Sequence, residues 1–308
     1  MHTGSIDVDS LAGGLDLQAT LESGQSYLWR RSDEQRYDDG THGGDAWYWT
    51  VVREANGEVR LDHGDPLALR VRQRDGHLEW EASAEAEHVV RRLLRLDDDL
   101  DAIRAATPDD DMLADAYERY RGMRLVRDPP FGALISFICS AQMRVSRIHE
   151  MQISLAETFG ESVTLDGTTY RAYPTPDALA DTTEAQLRDL GLGYRAPYVQ
   201  RSAEMVASGE AHPAAARSMD YLDAREHLTQ FVGVGEKVAD CVLLFSLDFL
   251  QAVPLDTWIR KTISEYYPDC ERGNYADTSA AIRERLGGEY AGYAQTYVFH
   301  HLRNGGGE

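Results

Sequence analysis

Lysine is almost absent from this chain. Of its 31 lysine and arginine residues only Lys237 and Lys261 are lysine. Cysteine is scarce as well. Cys139, Cys241 and Cys270 show no close C-x-x-C spacing, which argues against a disulfide framework, a zinc site or an iron–sulfur cluster, and no metal ligand set is expected. No apolar run is long enough to span a bilayer, and Met1 to Gly24 carries no signal-peptide pattern. A soluble protein of the reduced cytoplasm, without a membrane partner, is therefore expected. Positive charge is in deficit too, with a formal net charge of −21 and a pI of about 4.8. That balance lacks the basic footprint usual in nucleic-acid binders. The acidic residues gather in runs such as Asp97-Asp-Asp-Leu-Asp101 and Asp109-Asp-Asp111, which look like solvated surface. Such a surface is similar to that of proteins from extreme halophiles, where salt screens self-repulsion, so a halophilic source is expected.

Two kinds of periodicity divide what is present. From Leu15 to Glu81 the chain alternates like antiparallel strands, and two turns stand out. Asn56-Gly57 joins Trp47–Val52 to Glu58–Leu61, and Asp75-Gly76 joins Leu69–Arg72 to His77–Trp80; both are type I′ hairpin signals. Ser23–Arg30 is expected as a further strand, where Gly24 marks a bulge or a close backbone approach. From Glu85 the pattern turns helical. Asp128-Pro-Pro130 predicts a helix start capped by Asp128, Val145–Phe159 a helix stopped by Gly160, and Thr183 with Gln186 a capping box. Together these give an α+β protein. A small antiparallel β-rich domain over residues 1–115 is expected, followed by a larger all-α helix-hairpin-helix domain over 116–308.

The most informative stretch is Leu228–Leu247. An amphipathic run over Tyr221–Gln230 breaks at Gly233 and Gly235 and resumes with an apolar face at Val238, Cys241, Val242 and Phe245. Helix, tight turn, helix is the expectation, and the second helix would offer free N–H groups to a phosphate. Lys237 falls in its first turn, where the helix dipole disfavours a cation. A lysine there is either a phosphate contact or a nucleophile. Arginine binds phosphate as well or better and cannot lose its proton. A chain that has nearly eliminated lysine yet retains this one favours the nucleophile.

The pattern Phe231-Val-Gly-Val-Gly-Glu-Lys-Val-Ala-Asp240, followed by Asp256 in Val253-Pro-Leu-Asp-Thr257, resembles the helix-hairpin-helix of the DNA glycosylase superfamily. Leu15-Asp-Leu with Ser23-Gly-Gln-Ser-Tyr-Leu-Trp-Arg30 narrows the likeness, as do Tyr120-Arg-Gly-Met-Arg-Leu-Val-Arg-Asp128 and Ser136-Phe-Ile-Cys-Ser140. Leu190-Gly-Leu-Gly-Tyr-Arg-Ala196 and Tyr290–Phe299 complete a set similar to that of the 8-oxoguanine DNA glycosylase/AP lyases. The resemblance runs from about Leu15 to Arg303.

It implies a base-excision enzyme that flips 8-oxoguanine out of duplex DNA, excises it, and cleaves the abasic strand by β-elimination through a lysine Schiff base. Lys237 would be the nucleophile and Asp256 the stabiliser of developing charge on the sugar; Asp256 reads equally as an N-cap, and both can hold. In the base pocket the family implies Gly24, Cys241, Gln295 and Phe299. Core packing stays open for Phe299, and a buried structural thiol for Cys241. Toward DNA it implies Gln142 and Tyr194 as fillers of the vacated stack, Arg147 and Arg195 as contacts of the orphaned cytosine, and Gly233 and Gly235 as phosphate holders. A surface amide, a turn tyrosine and a solvated arginine remain the plain alternatives for Gln142, Tyr194 and Arg147. Two departures stand out. Gln142-Met143-Arg144 replaces an asparagine run, and Trp258 replaces a phosphate-contacting histidine. No cofactor is expected, and the sequence leaves open a monovalent or divalent cation between the hairpin carbonyls and a phosphate. The expected partner is damaged double-stranded DNA, met by a monomer in the nucleoid. An alkylpurine (3-methyladenine) glycosylase and a non-catalytic DNA-binding hairpin protein are the competing readings. Lys237 speaks against the first, and Lys237 with Asp256 against the second.

Overall fold

The computed structural model describes residues 1–36, 45–53 and 65–305. Strands β1 (His2–Asp7), β2 (Arg30–Arg31), β3 (Tyr48–Val52), β4 (Leu67–Arg74) and β5 (His77–Ala82) form an antiparallel sheet in the order β1-β5-β4-β3-β2. Alternation builds it. Leu69 and Val71 of β4 point into the core, while Arg70 and Arg72 lie opposite Glu81 and Glu79 on β5 and pair with them. The Asp75-Gly76 turn is as expected, with φ of 50° and 78°. The Asn56-Gly57 turn and the strand Glu58–Leu61 lie outside the described residues.

Two expectations for this region are corrected. Leu17–Glu22 is a helix, α1, capped by Asp16, whose side chain accepts from the Ala19 N–H at 2.9 Å. Ser23–Arg30 is not a strand; only Arg30 and Arg31 pair into the sheet. Side chains take the bonds a ladder would supply. Gln25 donates to the Arg124 carbonyl at 2.9 Å and accepts from the Val126 N–H at 3.0 Å, and the Ser26 hydroxyl accepts from the Leu28 N–H.

Beyond the sheet come α2 (Glu87–Leu93), α3 (Leu100–Ala106) and α4 (Asp111–Arg119). The boundary expected at 115/116 falls inside α4, which packs along the C-terminal helix. The apolar helix α5 (Pro130–Ile138) and α6 (Val145–Phe159) follow. Asp128 does not cap α5; Pro129 holds that position, and the Asp128 carboxyl is buried against Ser26, where desolvation pushes its pKa up to about 7.

The helical part is not all-α. Strands β6 (Ser162–Leu165) and β7 (Thr168–Arg171) make a hairpin about Asp166-Gly167, with φ of 51° and 74°. Leu165 and Tyr170 pack on Val51 and Ala68 of the N-terminal sheet. The turn signal matched that of the other hairpins, but the flanks are only four residues each and mostly polar, so helical neighbours masked it. Then come α7 (Pro176–Ala180), α8 (Glu184–Asp189), whose capping box is formed, and α9 (Ala196–Ala207). The chain continues with α10 (Tyr221–Thr229), α11 (Glu236–Ser246), α12 (Thr257–Tyr266), α13 (Tyr275–Arg285) and α14 (Ala291–Arg303). One buried core runs from Leu69 and Val71 of the sheet to Leu134 of α5 and Val242 of α11. It brings residues of α11, α14 and the loop after α1 together around one cleft. Among the described residues no helix is long and apolar enough to cross a membrane.

Candidate active site

The hairpin α10–α11 turns at Gly233, whose φ of +85° suits glycine, and where a Cβ would meet the Tyr198 ring at 2.7 Å. Gly235 occupies the N-cap of α11, and a Cβ built there meets nothing within 4 Å. Gly235 is exposed, and the first N–H groups of a helix have no partner within it, so an anion can approach this end of α11.

Lys237 projects from that first turn into a cleft. Its Nζ donates to the Ser140 hydroxyl at 3.0 Å and lies 5.9 Å from the centre of the Phe137 ring. Ser140 in turn donates to the Phe137 carbonyl at 2.7 Å, which leaves its lone pairs for the amine. Sequence reasoning missed Ser140 as the partner of Lys237, because nothing along the chain shows that the end of α5 meets the start of α11.

Asp256 does cap α12. Its carboxylate accepts from the Ile259 N–H at 2.8 Å, and burial raises its pKa while the helix N–H groups and nearby Lys237 pull it down. Cys241, one turn after Lys237, is buried, and its thiol is pushed up to about 12, chiefly by burial. It is a neutral wall of the cleft. The thiol is buried and also lines the cleft.

The far wall comes from α14 and the loop after α1. Gln295 is 5% exposed, and its Oε1 has no hydrogen-bond partner among the described residues. A buried amide oxygen without a partner awaits a donor. Phe299 follows one turn later; it is half-buried, packed against the core and also in the cleft lining. Gly24, with φ of +93°, faces both Phe299 and Arg303; a Cβ there would lie 3.1 Å from Arg303 Nη1 and 3.5 Å from Phe299 Cε1. Arg303, absent from the sequence-based set, donates to the carbonyls of Glu22 and Ser23 and lies 5.6 Å over the Phe299 ring. It clamps the end of α14 to the loop that carries Gly24.

The cleft is lined by Lys237, Cys241, Asp256, Gln295, Phe299 and Gly24, with Gly233, Gly235 and Gln142 at its margin. Trp258, 41% exposed, stands in the same lining, a position where charge was expected from the resemblance. Arg147, Tyr194 and Arg195 lie outside the lining, which Arg195 reaches through Ala141. The Arg195 guanidinium is only 4% exposed, donates to the Ala141 carbonyl and sits 4.3 Å under the Tyr194 ring, which is 54% exposed. Arg147 pairs with Glu150 at 2.7 Å and packs against Gly191, where a Cβ would come within 2.3 Å of its Nη2. Gln142 itself holds a φ of 54°, rare for a residue with a side chain. Among the described residues no group of three or more His, Cys, Asp and Glu side chains is placed to hold a metal ion.

The amine, the capped carboxylate and the slot with its free amide oxygen can be set beside known proteins. Residues 8–134 match the family model described as the 8-oxoguanine DNA glycosylase N-terminal domain, and residues 135–287 that of the HhH-GPD superfamily of base excision DNA repair proteins. A probable N-glycosylase/DNA lyase of Methanothermobacter thermautotrophicus is 30% identical over 84% of this chain and 89% of its own length. A structure of MBOgg1 in complex with a low-affinity DNA ligand superposes with a TM-score of 0.81 at 25% identity, covering 98% of this chain and 95% of that one. The 8-oxoguanine glycosylase/lyase of Clostridium acetobutylicum, in complex with double-stranded DNA containing cytosine opposite 8-oxoG, gives a TM-score of 0.77 at 26% identity over 94% and 92% of the two chains. This chain belongs to the HhH-GPD superfamily of base excision DNA repair proteins, in the branch that carries the 8-oxoguanine DNA glycosylase N-terminal domain.

Proposed function

We propose that this protein excises 8-oxoguanine from duplex DNA and then cleaves the abasic strand. The observation that carries the reading is the juxtaposition of Lys237 with a slot that ends in Gly24, Phe299 and the partnerless Oε1 of Gln295. A purine flipped into that slot stacks on Phe299 and offers ring N–H donors to Gln295, while Gly24 leaves its backbone bare to the base edge.

The neutral Lys237 amine attacks C1′, and the C1′–N9 bond breaks with its electron pair going to the base, which takes up a proton. The developing positive charge on the sugar lies beside the Asp256 carboxylate, held rigid by its cap bond. Opening of the sugar ring leaves a protonated imine between Lys237 and C1′. Loss of a C2′ proton then expels the 3′ phosphate by β-elimination, and water hydrolyses the imine to release the amine. Gly233 and Gly235 present the α11 N-terminus to a backbone phosphate, and Gln142, Arg147, Tyr194 and Arg195 serve the gap in the stack and its orphaned partner base.

Borohydride trapping tests the reading. On duplex DNA containing 8-oxoguanine the wild-type protein is expected to give a covalent protein–DNA adduct, and Lys237→Gln none. A wild-type protein that forms no adduct yet releases methylated purines would overturn it in favour of alkylpurine excision.

A further inference from the structure

Lys237 and Asp256 stand on different elements, and catalysis by the pair needs one fixed register between them. α11 carries a second acidic residue, Asp240, one turn after Lys237. It is 0% exposed, and each of its oxygens takes one tyrosine proton. The Tyr221 hydroxyl donates to Oδ1 at 2.8 Å and the Tyr275 hydroxyl to Oδ2 at 2.7 Å. Arg225 stands 3.9 Å from the same carboxylate. With its proton directed at Asp240, the Tyr275 oxygen is left as an acceptor, and it receives the Leu255 N–H at 3.2 Å. Leu255 immediately precedes Asp256 and is buried in an irregular segment, where a backbone N–H must find a partner. Burial and the neighbouring carboxylate hold both phenols far from ionisation, so the direction of each bond is fixed.

We infer that Tyr275 is a positioning residue for Asp256. With Asp240 it ties the Leu255–Asp256 junction to the helix that carries Lys237, so that carboxylate and amine move as one unit. Tyr221 makes the matching bond to Asp240 from α10 but does not reach Leu255, so it holds the hairpin and not the junction. The inference rests on the roles proposed for Lys237 and Asp256.

The test is a double-mutant cycle in the full chain, read as the single-turnover excision rate on 8-oxoguanine duplex, with duplex affinity and thermal midpoint measured alongside. Tyr275→Phe keeps the ring and removes the shared oxygen. Its excision rate is expected to fall about tenfold with affinity unchanged, and to fall no further in an Asp256→Asn background, since residues that act through one another are not additive. Tyr221→Phe is expected to leave the rate within about twofold. Asp240→Asn, which disturbs the same bond from the other end, should repeat the non-additivity and stands in if Tyr275→Phe does not fold. An equal loss from Tyr275→Phe in both backgrounds, or no loss in either, would overturn the inference while leaving the excision chemistry intact. Absence of excision by the wild-type protein would overturn the functional reading itself, and the inference with it.

Discussion

Single residues decide what fits the slot, and Gly24 is one of them. Its φ of +93° is one that L side chains rarely adopt, and the space a methyl would take is bounded by Arg303 and Phe299. Gly24→Ala therefore carries a backbone cost of about 1 kcal/mol and narrows the base slot at once. Excision of 8-oxoguanine is expected to drop by roughly 10- to 100-fold, as one extra methyl does in a fitted pocket. Cleavage of a preformed abasic site places no base in the slot and should stay within about threefold of wild type. Single-turnover rates on the two duplexes check this, and equal losses on both would remove Gly24 from the base pocket. At this scale, residues one turn apart on a helix were legible from spacing alone, as with Lys237 and Cys241 or Gln295 and Phe299. Ser140, Arg303 and the Arg147–Gly191 contact were not, because each depends on which distant segments the core brings together.

Elements explain how a flexible carboxylate becomes an aimed one. Asp256 is the N-cap of α12, so its side-chain oxygen is committed to the Ile259 N–H before any substrate arrives. The cap and the charge can be separated, because asparagine caps helices as well as aspartate does. Asp256→Asn is expected to keep the thermal midpoint near wild type while slowing excision about 100-fold, through loss of the charge beside the sugar. Asp256→Ala should lose a comparable rate and also about 1 kcal/mol of stability. Thermal melts with single-turnover kinetics decide it; an Asn variant as unstable as the Ala variant would mean the charge itself holds α12.

The same local chemistry explains which elements could be read in advance. The capping box of α8, the Gly160 stop of α6 and the Asp75-Gly76 hairpin are written within a few residues and appear as expected. The run Ser23–Arg30 has a strand's composition but not its fate. Gln25 and Ser26 satisfy backbone groups in place of a neighbouring strand, and that depends on the distant segment 124–126. Asp128 failed as a cap for a similar reason. Its carboxyl is drawn into the core beside Ser26, away from the helix start.

Across the whole molecule, charge is the governing feature. The chain carries 52 acidic against 31 basic residues, and many arginines are already matched within the fold; Arg95 and Arg127, for example, both bond Asp248 at 2.6 Å. The excess carboxylates therefore repel one another across the surface. Raising salt from about 0.1 M to about 1 M shortens the screening length from about 10 Å to about 3 Å, which relieves that repulsion more than it weakens ion pairs in contact. The thermal midpoint is accordingly expected to rise with potassium chloride toward molar concentration, and excision at saturating enzyme to persist there. Saturation matters, because each neutralised phosphate contact steepens the loss of duplex affinity with salt by about 0.9 in log–log slope. Melting curves and single-turnover excision across one salt series separate stability from binding. A midpoint that falls steadily as salt is added would show that attractive surface pairs outweigh the net repulsion, and the halophilic reading of the composition would be wrong.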